Sequence, residues 1–139
     1  MTLGLNRNNP WDLETRHVPW MGLLADQPKD GPLAFETLLE GIRAGVRVCY
    51  TYQERSWNTP RKFVYDFADP KRDPVEQYLA NVCEWTTHAP DDVLNFRDVK
   101  VMVPWGRGVW GQEQGLAAIT AAGITDAQIY AGIALAEDD

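Results

Sequence analysis

Tyr50, Tyr52, Arg55, Trp57, Arg61, Lys62 and Tyr65 interleave aromatic rings with positive charge within one short stretch. That pairing is what a stacking platform uses, since a ring offers a flat face to a base while a cation holds a phosphate. Tyr50 and Tyr52 share their alternation with Val46 and Val48, so both are expected to face inward. Arg47, Arg55, Trp57, Arg61 and Lys62 are then the exposed set.

Catalytic arrangements are harder to find. A nucleophile needs a base beside it, and the two histidines sit in an irregular opening stretch (His17) and in a turn beside Pro90 (His88). Ser56 lacks the strand-to-helix context of a nucleophile elbow. His88 with Asp91 and Asp92 is the nearest approach to a metal-binding cluster, and it reads as a polar turn. The segment from Trp105 to Gly111 holds three glycines, Arg107 and Trp110, and could cradle a phosphate with its N–H groups. It has no Gly-Lys-Ser/Thr ending, and is read instead as a tight turn that packs Trp105 and Trp110. The expectation is a protein without enzymatic activity, cofactor or metal.

The elements that would position these residues follow from periodicity. Residues 1–30, with Pro10, Pro19, Pro28 and Gly22, hold no regular period yet carry Trp11 and Trp20, which suits an arm that docks on its own domain or on a neighbour. Asp30-Gly31-Pro32 opens a helix predicted over 33–44 and stopped by Gly45. The period then changes to two, giving predicted strands near 46–52, 62–67, 77–85 and 93–103 with turns between them. A helix near 112–122 ends at Gly123, and another starts at Thr125, with Gln128 completing a capping box and Ile124 facing Ile129 as a staple. The predicted fold class is therefore α+β: a helix followed by a four- or five-stranded antiparallel sheet or small β-barrel. A single domain over 1–139 divides into the arm (1–30), the helix and barrel core (31–105), and the Gly/Trp turn with two short helices (106–139).

Composition agrees with a folded domain, since 45% of residues are hydrophobic and 24% charged, with six Trp, five Tyr and four Phe. No apolar run reaches the length of a membrane span and the opening residues lack the order of a signal peptide, so a cytoplasmic protein that does not engage membranes is expected. Cys49 and Cys83 fall in separate predicted strands and are expected as buried thiols. The net charge is −7, yet residues 43–72 carry seven basic against three acidic side chains, +4, leaving −11 elsewhere. An acidic total argues against bulk nucleic-acid binding, while the basic segment could still hold a phosphate or a short strand.

The order of helix, Tyr-bearing strand, turn and Pro60-Arg61 at the head of a second strand resembles the opening of WYL domains, small barrels related to the Sm and SH3-like folds. Gln77-Tyr78-Leu79 stands where that family has its Trp-Tyr-Leu signature, and 95–101 (Asn-Phe-Arg-Asp-Val-Lys-Val) is similar to its later strand; the resemblance spans about 35–103. It implies a regulatory domain that binds a nucleotide-like or nucleic-acid ligand through Tyr50 or Tyr52, Arg61, Arg97 and Lys100; with Lys62 from the basic hairpin these are the residues expected to hold a nucleotide or single-stranded nucleic acid. The alternative is an assembly or viral accessory protein that uses Trp11, Trp20, Trp105, Arg107 and Trp110, the arm 1–30 and an acidic tail for protein contacts or self-association.

Overall fold

The computed structural model describes residues 1–137. Among them it has seven helices: α1 (Leu3–Asn6), α2 (Leu38–Glu54), α3 (Pro60–Phe67), α4 (Val75–Thr86), α5 (Val99–Gln114), α6 (Leu116–Ala122) and α7 (Asp126–Glu137). The sole extended pairing among them is one antiparallel bridge between Leu23 and Phe35. The expected α+β class, with its sheet or β-barrel, is thus corrected to an all-helical fold. The barrel that the WYL resemblance requires is missing with it.

Every predicted strand lies wholly or partly in a helix, for a reason that its side chains show. In α2 the alternating Val46, Val48, Tyr50 and Tyr52 are only part of the pattern, because Ile42, Val46, Cys49 and Tyr50 are buried together at the i, i+4, i+7, i+8 spacing of one helix face. In α4 the buried set is Tyr78, Leu79, Val82 and Thr86. In α5 it is Met102, Trp105 and Val109, while the alternating Val101 and Val103 are half-buried at its flanks. Local caps agree: Thr59 Oγ1 accepts from Lys62 N at 3.1 Å with Pro60 in the first turn of α3, and Asp98 accepts from Lys100 N at 2.9 Å ahead of α5.

Gly45 does not stop a helix; it lies inside α2 as a place of close approach. A Cβ there would fall 2.2 Å from the Trp11 ring, and one at Gly41 would fall 1.7 Å from the Asn8 carbonyl oxygen. One turn apart, the two glycines cut a notch in α2 that receives the arm. The helix instead begins at Leu38, capped by Thr37, whose Oγ1 accepts from Glu40 N (3.3 Å) and donates to the Glu40 carboxylate (2.9 Å). The segment from Trp105 to Gly111 is likewise no turn but the buried face of α5, where a Cβ on Gly108 would meet the Thr86 methyl at 2.6 Å.

The arm runs to Thr37 and docks on its own chain. Trp11, 1% exposed, donates from Nε1 to the Ile42 carbonyl at 3.2 Å, and its ring meets the edge of Trp110 at 5.4 Å between centroids. Buried Asn9 donates to the carbonyls of Leu13 (3.0 Å) and Leu33 (2.9 Å) and accepts from Leu13 N (3.1 Å), closing the loop. Trp105 and Trp110 are fully buried in the core shared with Phe63 and Phe96, so three of the tryptophans expected at a partner surface pack inside this chain; Trp20 is half-buried. Arg107 joins α5 to the start of α7 through Asp126 (2.5 Å) and the Ile124 carbonyl (3.1 Å). Cys49 is buried, Cys83 is half-buried, and both are free thiols.

α7 packs along α2, and α5 contacts α4, α6 and α7. Gly123, at φ +64°, ends α6, and Thr125 with Gln128 forms the expected capping box (2.8 and 3.2 Å). Among the described residues no single helix is long and apolar enough to cross a membrane, and α6 and α7 meet at a 93° bend. Asp138 and Asp139 of the expected acidic tail lie outside the described residues.

Candidate active site

The aromatic and basic residues singled out in the sequence separate into several places. Tyr50 and Tyr52 are buried in α2. Arg97 lies over the Tyr50 ring, 3.7 Å from its centre, with Arg47 at 5.8 Å. Arg61 pairs with Asp91 at 3.0 Å instead of joining them, and Lys100 is exposed in the first turn of α5. Lys62 and Tyr65 stay with Arg55 and Trp57, at the corner between α2 and α3.

A cluster of carboxyl groups that the sequence did not single out is brought together instead. A cavity of about 300 Å³ opens where the arm, α2, α3, the loop after α3 and the end of α5 converge. Five carboxyl groups line it, Asp12, Glu14, Asp66, Asp69 and Glu113, against one guanidinium, Arg72. Leu13, Val48 and Phe67 complete an apolar part of the wall.

Each functional side chain is held by its element. Asp12 sits at φ +55°, a left-handed conformation that Asp tolerates better than most residues. It is fixed by Gln114, whose Nε2 donates to Asp12 Oδ1 (2.7 Å) and to the Pro10 carbonyl (3.0 Å), while Thr2 Oγ1 donates to Gln114 Oε1. Gln114 is the last residue of α5, so the arm is fastened to the helix next to Glu113. Glu113 accepts from the Tyr78 hydroxyl at 2.7 Å and its side chain is 5% exposed. Arg72 bridges Glu14 (3.4 Å), Asp69 (3.4 Å) and Glu113 (4.0 Å). Asp66 accepts from the Tyr52 hydroxyl at 2.5 Å.

These surroundings decide where a proton sits. Burial pushes the Glu113 carboxyl up to about 8, with Asp12 adding to the rise and with Tyr78 and Arg72 opposing it. Burial also raises Asp12, and hydrogen bonds from Gln114 and Glu113 and the charge of Arg72 offset only part of that rise. Two carboxyls in contact cannot both be ionised without large repulsion. The proton belongs to Glu113, which donates it toward the Asp12 carboxylate. Near neutral pH the cavity therefore contains a carboxylic acid as donor and several carboxylates as acceptors.

Glu113 carries the one sequence signal that points here: it is the sole carboxylate in the sixteen residues of an otherwise largely apolar α5. Asp12 carries none, because its partner lies about a hundred positions away, as the Gln114 contact at a separation of 102 shows. No family model matches the chain, so the WYL resemblance has no support there either, and no curated protein matches it.

Proposed function

We propose that this cavity is the acid–base site of a glycoside hydrolase, in which Glu113 protonates the leaving oxygen of the scissile bond. The observation that carries this reading is the arrangement of Glu113: a nearly buried carboxyl at a cavity wall, held by Tyr78 and touching Asp12. Two carboxyls in contact cannot both ionise freely, so one keeps its proton and the pair can supply an acid and its partner. An alkoxide leaving group needs a donor that still holds its proton near neutral pH, and Glu113 does.

The remaining carboxylates suit the same chemistry. Glycosidic cleavage passes through a transition state with positive charge on the sugar ring, which negative side chains stabilise. Asp66, oriented by Tyr52, is the carboxylate on a separate wall that fits this role or that of activating water. Among the described residues the lining holds no Ser, Cys, Lys or His, and its Tyr52 hydroxyl is engaged with Asp66. The negative field also favours a substrate that is uncharged at the bond being cut.

This reading departs from the expectation of a non-enzymatic module. Its test is release of reducing ends from a panel of neutral, amino and acidic oligosaccharides by the full-length protein. Activity should decline above about pH 8 and fall by roughly 10²- to 10⁴-fold in Glu113→Gln, the contribution of one general acid. Hydrolysis that survives this substitution would place the chemistry elsewhere.

A further inference from the structure

The corner at Trp57 adjoins the acidic cavity. Its own hollow, about 460 Å³ and open to solvent, is lined by Arg55, Ser56, Trp57, Lys62, Tyr65 and Asp66. Asp66 also lines the acidic cavity, so the two hollows share a wall. Tyr52 links them as well, binding Asp66 through its hydroxyl and meeting the Trp57 ring edge-on at 5.7 Å.

Trp57 is a prepared platform. Ser56 adopts φ +60°, and Trp57 N donates to the Tyr52 carbonyl at 2.8 Å, which closes the turn after α2. The next residue, Asn58, exchanges bonds with Leu94 through its carbonyl (2.7 Å) and its side chain (2.8 Å). The Arg55 guanidinium lies 5.2 Å from the Trp57 ring centre, and Lys62 Nζ donates to the Ser56 carbonyl at 3.4 Å. Among the described residues neither Arg55 nor Lys62 has a carboxylate partner within ion-pair distance. An aromatic ring flanked by two free cations can hold a sugar face through stacking and an anionic substituent through charge.

We infer that the Trp57 corner is a binding subsite for a carboxylate-bearing sugar, adjacent to the sugar whose bond is cut. The inference rests on the hydrolase reading for the position of the cut and names the substrate class: a glycan uncharged at one unit and acidic at its neighbour. The charge pattern carries it. The acidic cavity sets five carboxyl groups against one cation, whereas the next hollow along the same wall sets two cations against the single carboxylate of Asp66.

The test uses full-length Glu113→Gln protein, which binds without turnover, and a matched pair of probes, chitotetraose and carboxymethylated chitotetraose. Titration followed by tryptophan fluorescence should show the carboxymethylated probe binding about fivefold more tightly at low salt, the size expected for two exposed ion pairs. The preference should vanish on Arg55→Ala/Lys62→Ala and shrink in about 0.5 M salt. Trp57→Ala should weaken both probes. Equal affinity for the two probes, or a preference that survives the double substitution, overturns the subsite. The wild-type protein separates the two ideas: cleavage of both probes with equal KM sinks the subsite and spares the hydrolase. Selective binding without cleavage of either does the reverse.

Discussion

The acidic cavity and the basic corner share Asp66, yet they are assembled in opposite ways. The corner draws on residues 55–66, one turn and the helix that follows it. The cavity draws on the arm, α2, α3, a loop and the end of α5. A site made of chain neighbours survives small movements of distant elements. A site made of remote segments exists only while the tertiary structure holds them, so damage to packing becomes damage to chemistry.

The largest test of that contrast is Glu113→Gln, which should remove activity while leaving the corner's binding intact. Nearly as large is a packing change at a residue that does not itself line the cavity. Gly45→Val places a side chain where Trp11 now sits, displacing the arm and Asp12 with it. Stability should fall by about 3 kcal/mol in urea unfolding, with a red shift of tryptophan emission and loss of hydrolysis. Retained activity despite that loss would show that Asp12 is not needed.

Acidity gives a third test. Native Glu113 keeps its proton up to about pH 8, against the usual 4.5 of an unfolded chain. The folded state therefore binds more protons between these values, and the contribution of Glu113 to stability should be complete below about pH 4.5 and be lost progressively up to about pH 8, where the loss levels off. Set against the ordinary acid loss from other carboxylates, the Glu113→Gln variant should show a flatter decline in Tm from pH 5 to 9 and a higher Tm at pH 8. A wild-type Tm that holds steady over this range would contradict a protonated Glu113.

Smaller again is Arg72→Met, which removes the cation beside Glu113 and Asp12 and should move the alkaline limb of the activity profile upward by less than about one pH unit. The smallest effect belongs to the corner. Arg55→Ala and Lys62→Ala, both on exposed side chains, should change unfolding stability by no more than about 0.5 kcal/mol. A larger loss would mean that the corner is structural.

The same contrast explains what the sequence revealed. The Arg55, Trp57 and Lys62 cluster was visible because its members are close in the chain, although it was assigned to a hairpin. The Thr125–Gln128 cap and the Gly123 stop were visible for the same reason. Gly45 misled because a glycine after an apolar run signals a helix end, while its actual use, close approach of Trp11, depends on a partner 34 positions earlier. The alternation from Val46 to Tyr52 misled because the helical face, Ile42 through Tyr50, contains part of it. Asp12 and Glu113 were invisible as a pair because nothing local marks either as the other's partner.

The fastening of Gln114 to the arm also has a consequence in time. After Asp12 a ribosome must add about a hundred further residues before the segment that meets it exists. At roughly 5–20 residues per second, this interval lasts roughly 5–20 s. Throughout it the nascent chain carries one half of the acid pair and cannot cut anything. The hydrolase proposed here would stay silent until Glu113 and Gln114 have been made and have folded against the arm.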